Sequence, residues 1–314
     1  MIKFKYQVMK RIKSILGILS IFAINLIYGQ QDPQYTQYMY NMQIVNPAYA
    51  GSKGTLHIGL LHRTQWVGLD GAPKTTVAAI SAPIRKNVGL GLSVFADEIG
   101  PVKEQNAFVD FSYTIQTSAY GNLAFGLKGG FTFLNALLSK LDLGDNEEDD
   151  VFKEDIDKTY ANFGAGAFYY TDRFYVGLSM PNMLNQFHLN KKNGVVSSAA
   201  EKMHYFLTSG YVFDINNNLK LKPSVLVKGV KGAPLSVDVS GNVLIHEKLE
   251  LGLSWRVDDS VSGLINMAVT PMLRVGYAYD HTITNLGDYN SGSHEIILLI
   301  TISNSRAGLS PRFF

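Results

Sequence analysis

The sequence of 314 residues contains no cysteine. That excludes a disulfide scaffold, a thiolate metal site, a cysteine nucleophile and a lipidated N-terminal cysteine, so any attachment to a membrane must come from the fold itself. Charge is scarce as well. Only 17% of residues are charged, and 28 Lys plus Arg against 26 Asp plus Glu leave a net +2. With no basic cluster beyond the first 13 residues, the chain offers no surface for nucleic acid. Past the N-terminus there is no long apolar run and no stretch of ten residues with clean 3.6 periodicity, which argues against a helical membrane protein. No linker, composition break or fixed-period repeat divides the chain after Thr55, so the remainder reads as one domain.

What is present is apolar and aromatic: 46% hydrophobic residues, 29 Gly, 17 Tyr and 17 Phe. Lys3, Lys5, Lys10, Arg11 and Lys13 precede the apolar stretch from Ile15 to Ile27. A spanning helix needs about 20 apolar residues. The shorter run behind a basic start predicts an export signal peptide over residues 1–29, cleaved after Gly29.

From Thr55 onward short alternating segments are separated by turn residues, the pattern of an all-β chain. Strands are expected at Thr55–Arg63, Thr75–Ala82, Val88–Asp97, Ala107–Ile115, Asn122–Leu134, Tyr160–Tyr170 and Phe174–Met180. Seven more are expected at His204–Phe213, Leu219–Val227, Leu235–Leu244, Leu249–Val257, Ser262–Val269, Leu273–Tyr279 and His294–Thr301. Leu249, Leu251, Leu253 and Trp255 make one wholly apolar face, while Glu250, Gly252, Ser254 and Arg256 make the other. By the same parity Arg63, Asp97, Asp110, Lys128, Lys220, Lys222, Asp238, Glu250, Arg256 and Arg274 all fall on polar faces.

A soluble sandwich alternates too, but the connections discriminate. Short ones (83–87, 116–121, 171–173, 214–218, 245–248, 270–272) alternate with longer ones, among them 135–159, 181–203 and 280–293. An even strand count with short turns on one side and long loops on the other predicts a transmembrane antiparallel β-barrel of about 14 strands over residues 55–303, with a C-terminal tail at 304–314. Trp66, Tyr113, Tyr169, Tyr170, Tyr211, Trp255 and Tyr277 are candidates for its interfacial girdles.

Residues 30–54, QQDPQYTQYMYNMQIVNPAYAGSKG, fit neither period. Pro33 and Pro47 each remove a backbone donor, and Asn46-Pro47 favours a turn just before Gly51. Tyr35, Tyr38, Tyr40 and Tyr49 offer ring area and hydroxyls together. The expectation is an ordered, periplasmic Tyr-rich segment that forms a plug in the barrel or a cap on its base.

Several constellations bear on chemistry. The run from Asp142 to Asp157 carries nine carboxylates, but Asp145-Asn146-Glu147-Glu148-Asp149-Asp150 lacks the glycine that a calcium loop needs, so it reads as a solvated external loop. The histidines 57, 62, 188, 204, 246, 281 and 294 are scattered singly, without metal-ligand spacing. Ser291, Ser293 and His294-Glu295 could suggest a hydrolase, yet no nucleophile elbow presents either serine. Gly89-Leu90-Gly91 and the glycines of 126–130 open no helix and so make no phosphate loop. They read as lumen-facing strand glycines that admit bulky neighbours or a plug. No catalytic, cofactor-binding or metal-ligating residue is expected, and the chain reads as a non-enzyme.

An ordered set of motifs completes the reading. Gln31-Asp32-Pro33, Gln37-Tyr38-Met39-Tyr40-Asn41, Asn46-Pro47-Ala48-Tyr49-Ala50-Gly51 and Arg63-Thr64-Gln65-Trp66 resemble the opening of the PorP/SprF family of Bacteroidota outer-membrane proteins. Pro181-Asn182, Lys222-Pro223-Ser224, Gly232 to Asp238, Gly276 to Asp280, Tyr289 to Glu295 and Pro311-Arg312-Phe313-Phe314 follow in the family's order. The resemblance implies an outer-membrane barrel of the type IX secretion and gliding machinery, supporting export or surface attachment of large secreted proteins such as adhesins. It implies as partners that cargo, other type IX secretion components and outer-membrane lipids, and it assigns no residue a catalytic or ligand role. The lumenal charges keep a passive diffusion or uptake channel as the competing reading.

Overall fold

The computed structural model describes residues 34–140, 155–183, 186–192, 195–201 and 203–302. The expected signal peptide, the acidic run up to Glu154 and the C-terminal tail lie outside them. Along the chain come β1 (Leu56–Thr64), β2 (Lys74–Arg85), β3 (Val88–Ile99), β4 (Val102–Gln116), β5 (Asn122–Ala136), β6 (Ile156–Tyr170) and β7 (Phe174–Met180). A separate hairpin, β8 (Gln186–Lys192) with β9 (Val195–Glu201), occupies a connection in which the sequence signals no strand. Then follow β10 (His204–Tyr211), β11 (Phe213–Asn216), β12 (Leu219–Val230), β13 (Ser236–Ile245), β14 (Leu249–Arg256), β15 (Ser260–Ala268), β16 (Leu273–Thr282) and β17 (Ser293–Ile302).

Every wall strand pairs antiparallel with its neighbour, and β1 returns to β17 in unbroken register from Leu56↔Ile302 to Thr64↔His294. The wall therefore closes on itself and leaves no edge to be satisfied by lipid, the condition for a sheet to cross a bilayer. β10 and β11 are one wall strand in two pieces, giving fourteen in all. The break has a cause. Pairing with β12 stops at Gly210↔Ser224 and resumes at Phe213↔Leu221, across Pro223, which has no N–H to give to the ladder.

All fourteen expected strands are present, and several are longer than the sequence signals. β4 begins five residues earlier, at Val102, and β6 reaches back to Ile156. These extensions continue the ladder beyond the apolar band, where both faces are polar and hydrophobic alternation gives no signal.

The faces are inverted relative to a soluble protein. Leu60, Ala78, Val94, Ala107 and Phe131 form one paired row across β1 to β5, all on the outer face, with Val94 55% and Phe131 54% exposed. One row further along, His62, Thr76, Ala96 and Gln105 begin a polar fringe. Inside, Asp110, Lys128, Lys222, Asp238, Glu250 and Arg256 are buried, so the parity read from the sequence holds at these positions. An apolar exterior around a charged interior is stable only with hydrocarbon outside.

Of the aromatics expected at the interfaces, Tyr113, Tyr211, Trp255 and Tyr277 are exposed on the outer wall. Tyr170 is not among them: it lies two residues after inward-facing Phe168 and packs against that ring at 5.4 Å inside the barrel. Leu253, 70% exposed on β14, is the most direct probe of the outer face. Leu253→Lys is expected to cost about 2–4 kcal/mol if the position lies near the bilayer midplane, read as a lower urea midpoint in reconstituted bilayers, whereas Leu253→Phe is expected to leave the midpoint unchanged.

Candidate functional site: a lumen filled by the N-terminal segment

The described part of the Tyr-rich segment, from Gln34, runs inside the barrel. It has almost no regular structure: a 3-10 turn at Tyr38–Tyr40, one helical turn at Met42–Val45 and a second 3-10 turn at Pro47–Tyr49. Asn46 caps the last of these, its side-chain oxygen accepting from Ala48 N at 3.0 Å, with Pro47 at the first position where its missing N–H costs nothing. Compact turns suit a segment whose backbone cannot join the wall's ladder and must satisfy itself or use side chains.

At its start, Thr36 and Gln37 donate their backbone N–H groups to the Glu295 carboxylate at 3.0 and 2.8 Å. Arg63 closes the cluster, reaching Glu295 at 3.1 Å and Asp280 at 2.6 Å, and the Thr36 hydroxyl donates to Asp280. These wall residues lie near the ends of β1, β16 and β17, beside the connections 65–73 and 283–292. Further on, the Tyr40 hydroxyl donates to Glu250, which also accepts from Asn242 Nδ2 at 2.7 Å and Arg274 Nη1 at 3.2 Å. Lys222 Nζ sits 5.4 Å from the centre of the Tyr40 ring, a cation–π contact in a water-poor setting. On the facing wall Gln43 donates to Asp110 at 2.8 Å, and Lys128 lies 3.4 Å from the same carboxylate.

The segment's end meets the opposite rim. Ser179 Oγ donates to Val45 O, Asn46 Nδ2 to Ala167 O and Ser112 Oγ to Ala50 O. Tyr49 meets Phe168 edge-on at 5.3 Å. Two glycine contacts make this approach possible. A Cβ on Gly126 would overlap the Pro47–Ala48 backbone, and one on Gly51, which has φ +72°, would lie 2.7 Å from Gly89 Cα. Gly89 and Gly126 thus face the lumen as the sequence suggests. Gly129 differs, its position meeting only Phe163; it shares a row with outward Val109 and so lies on the outer face.

The hydrolase constellation separates in the structure. His294 and Glu295 are adjacent on β17 and so point to opposite faces: His294 Nδ1 pairs with the Tyr277 hydroxyl outside, while Glu295 is buried inside. Ser293 Oγ accepts from Trp66 N. Among the described residues no group of three or more His, Asp or Glu is arranged to hold a metal ion. His57 and His204 face inward, His62 and His281 outward, and His246 sits in a turn. Sequence reasoning did not single out Glu295 and Asp280 as partners of the segment. A single inward carboxylate gives no pattern of its own, and only the Arg63 parity hinted at a counter-charge.

A closed antiparallel wall with an apolar outside, a charged inside and its own N-terminal segment against that inside defines a multi-pass β-barrel of the outer membrane. A family described as "Type IX secretion system membrane protein PorP/SprF" matches residues 27–300, and the chain belongs to this family. Membership places it among the membrane components of type IX secretion, with other components of that system as its partners, and in a family of secretion proteins rather than of enzymes.

No curated protein sequence matches the chain. Among solved structures it is similar to the Acinetobacter baumannii outer membrane protein Omp33 (10% identity, 80% of this chain and 100% of that one, TM-score 0.47). It is also similar to the P. putida toluene transporter TodX (11% identity, 84% and 95%, TM-score 0.48) and to the CymD monoaromatic hydrocarbon channel (13% identity, 87% and 94%, TM-score 0.46).

Proposed function

We propose that this protein is a plugged, non-enzymatic barrel of the type IX secretion and gliding machinery that supports export or surface attachment of specific large secreted proteins, adhesin-like ones among them. Family membership supports the secretion role. The observation that favours it over a passive diffusion or uptake channel is the state of the lumenal charges. In an open pore such groups line water, whereas Asp110 and Glu250 are 0% exposed, Lys128 3% and Arg256 6%. The segment 30–54 acts as the plug, and a cleaved signal peptide at 1–29 delivers the chain to the outer membrane. A deletion strain is expected to keep normal outer-membrane permeability while particular large surface proteins are lost, degraded or released into the medium. Normal surface display together with reduced uptake of a small solute would instead support the channel.

The short connections face the periplasm in this reading and the long loops face outward. Because the chain has no cysteine of its own, Asp288→Cys is expected to react with an impermeant maleimide on intact cells. Lys86→Cys is expected to react only after the outer membrane is breached, and the opposite pattern would invert the orientation.

A further inference from the structure

The ladder between β1 and β17 is the seam at which the first wall strand meets the last. Its partners lie 230 to 246 residues apart, from Thr64↔His294 to Leu56↔Ile302, much further than those of any other pairing in the wall, so no local turn can nucleate it. On the lumen face of this seam sits the Arg63 cluster. Arg63 belongs to β1, Glu295 to β17 and Asp280 to the adjoining β16. Arg63 and Glu295 are directly opposed in the register. The Glu295 carboxylate receives the Arg63 guanidinium and both backbone N–H groups of Thr36 and Gln37, so the residues ahead of β1 are fastened to the last strand. Thr36 Oγ1 accepts from Arg63 Nη1 while it donates to Asp280, which completes a bridge from segment to β1 to β16.

We infer that Glu295 is the clasp of the barrel seam: by binding Arg63 and the Thr36–Gln37 backbone together, it couples seating of the N-terminal segment to closure of β1 on β17. The segment is then a closing element of the wall as well as its filling. Fixing Thr36 and Gln37 on β17 brings β1, fewer than twenty residues further along, to the strand it must pair with, and so shortens the loop that closure has to span. The other lumenal carboxylates that hold the segment, Glu250 and Asp110, lie on strands away from the seam and have no such part. The inference goes beyond the secretion role and does not depend on it.

The test uses the full chain expressed in its own outer membrane, read as the fraction migrating as the compact, heat-modifiable form in unheated detergent gels. Glu295→Ala is expected to lower that fraction several-fold. Adding Leu60→Cys and Leu298→Cys, which are directly opposed across the seam, and oxidising them is expected to restore it. The same disulfide is expected to leave the defect of Glu250→Ala uncorrected. An unchanged compact fraction in Glu295→Ala overturns the inference. So does failure of the seam disulfide to restore it, and so does equal restoration of both variants, which would mark general stabilisation.

Discussion

Removal of residues 35–48, with the signal and the glycine-rich lead into β1 kept, is expected to convert a silent protein into a conducting one in planar bilayers. The intact chain is expected to give no sustained conductance. Asp110, Lys128, Lys222 and Glu250 are charged groups taken out of water, and each is held by or against the segment: Asp110 accepts from Gln43 Nε2, Lys128 donates to Gln43 O at 3.4 Å, Lys222 lies over the Tyr40 ring, and Glu250 accepts from the Tyr40 hydroxyl. Without the segment these groups regain a solvent that favours their charged forms, so water and ions follow into the lumen rather than the wall collapsing. A variant that assembles, shown by the gel shift, and stays silent would mean that something other than the segment closes the lumen.

Glu250→Ala is the second large effect. The carboxylate is fully buried and serves the Tyr40 hydroxyl, Asn242 and Arg274 at once. Its loss leaves the partly exposed Arg274 guanidinium without its counter-charge and a tyrosine hydroxyl without its acceptor. Removal of one partner from a buried ion pair costs about 3–5 kcal/mol. The expected result is a matching fall in unfolding free energy, measured by urea titration in lipid bilayers. Glu250→Gln, which keeps an acceptor for Tyr40, is expected to lose less. If alanine and glutamine behave alike, the hydrogen bond to the segment contributes nothing beyond the charge.

The wall was legible in the sequence because lipid imposes a strict two-residue period. Leu249, Leu251, Leu253 and Trp255 are apolar for one reason, and so the strand, its register and its inward charges follow together. The same rule explains where legibility ends. The extension of β4 through Val102–Asn106 and the hairpin β8–β9 carry no lipid-imposed alternation, so nothing in composition separates them from loop. The segment was recognisable as ordered by its tyrosines and prolines, but its partners were not, because each anchor is a single polar residue contributed by a different strand. Glu295 shows this most clearly. Beside His294 and two serines it suggested chemistry, and only the alternation of β17 separates the two side chains and turns the carboxylate toward Thr36.

A wall of fourteen crossings returns a chain to the side from which it set out, and Leu56 and Ile302 are accordingly direct partners at one rim. The segment makes one more passage, without a strand, between Thr36 beside the Arg63 cluster and Ala50 beside Gly89. The described chain therefore crosses an odd number of times, and Gln34 and Ile302 lie toward opposite mouths. An epitope joined directly ahead of Gln34 and another joined after Ile302 would report on the two faces of the membrane separately, from one polypeptide.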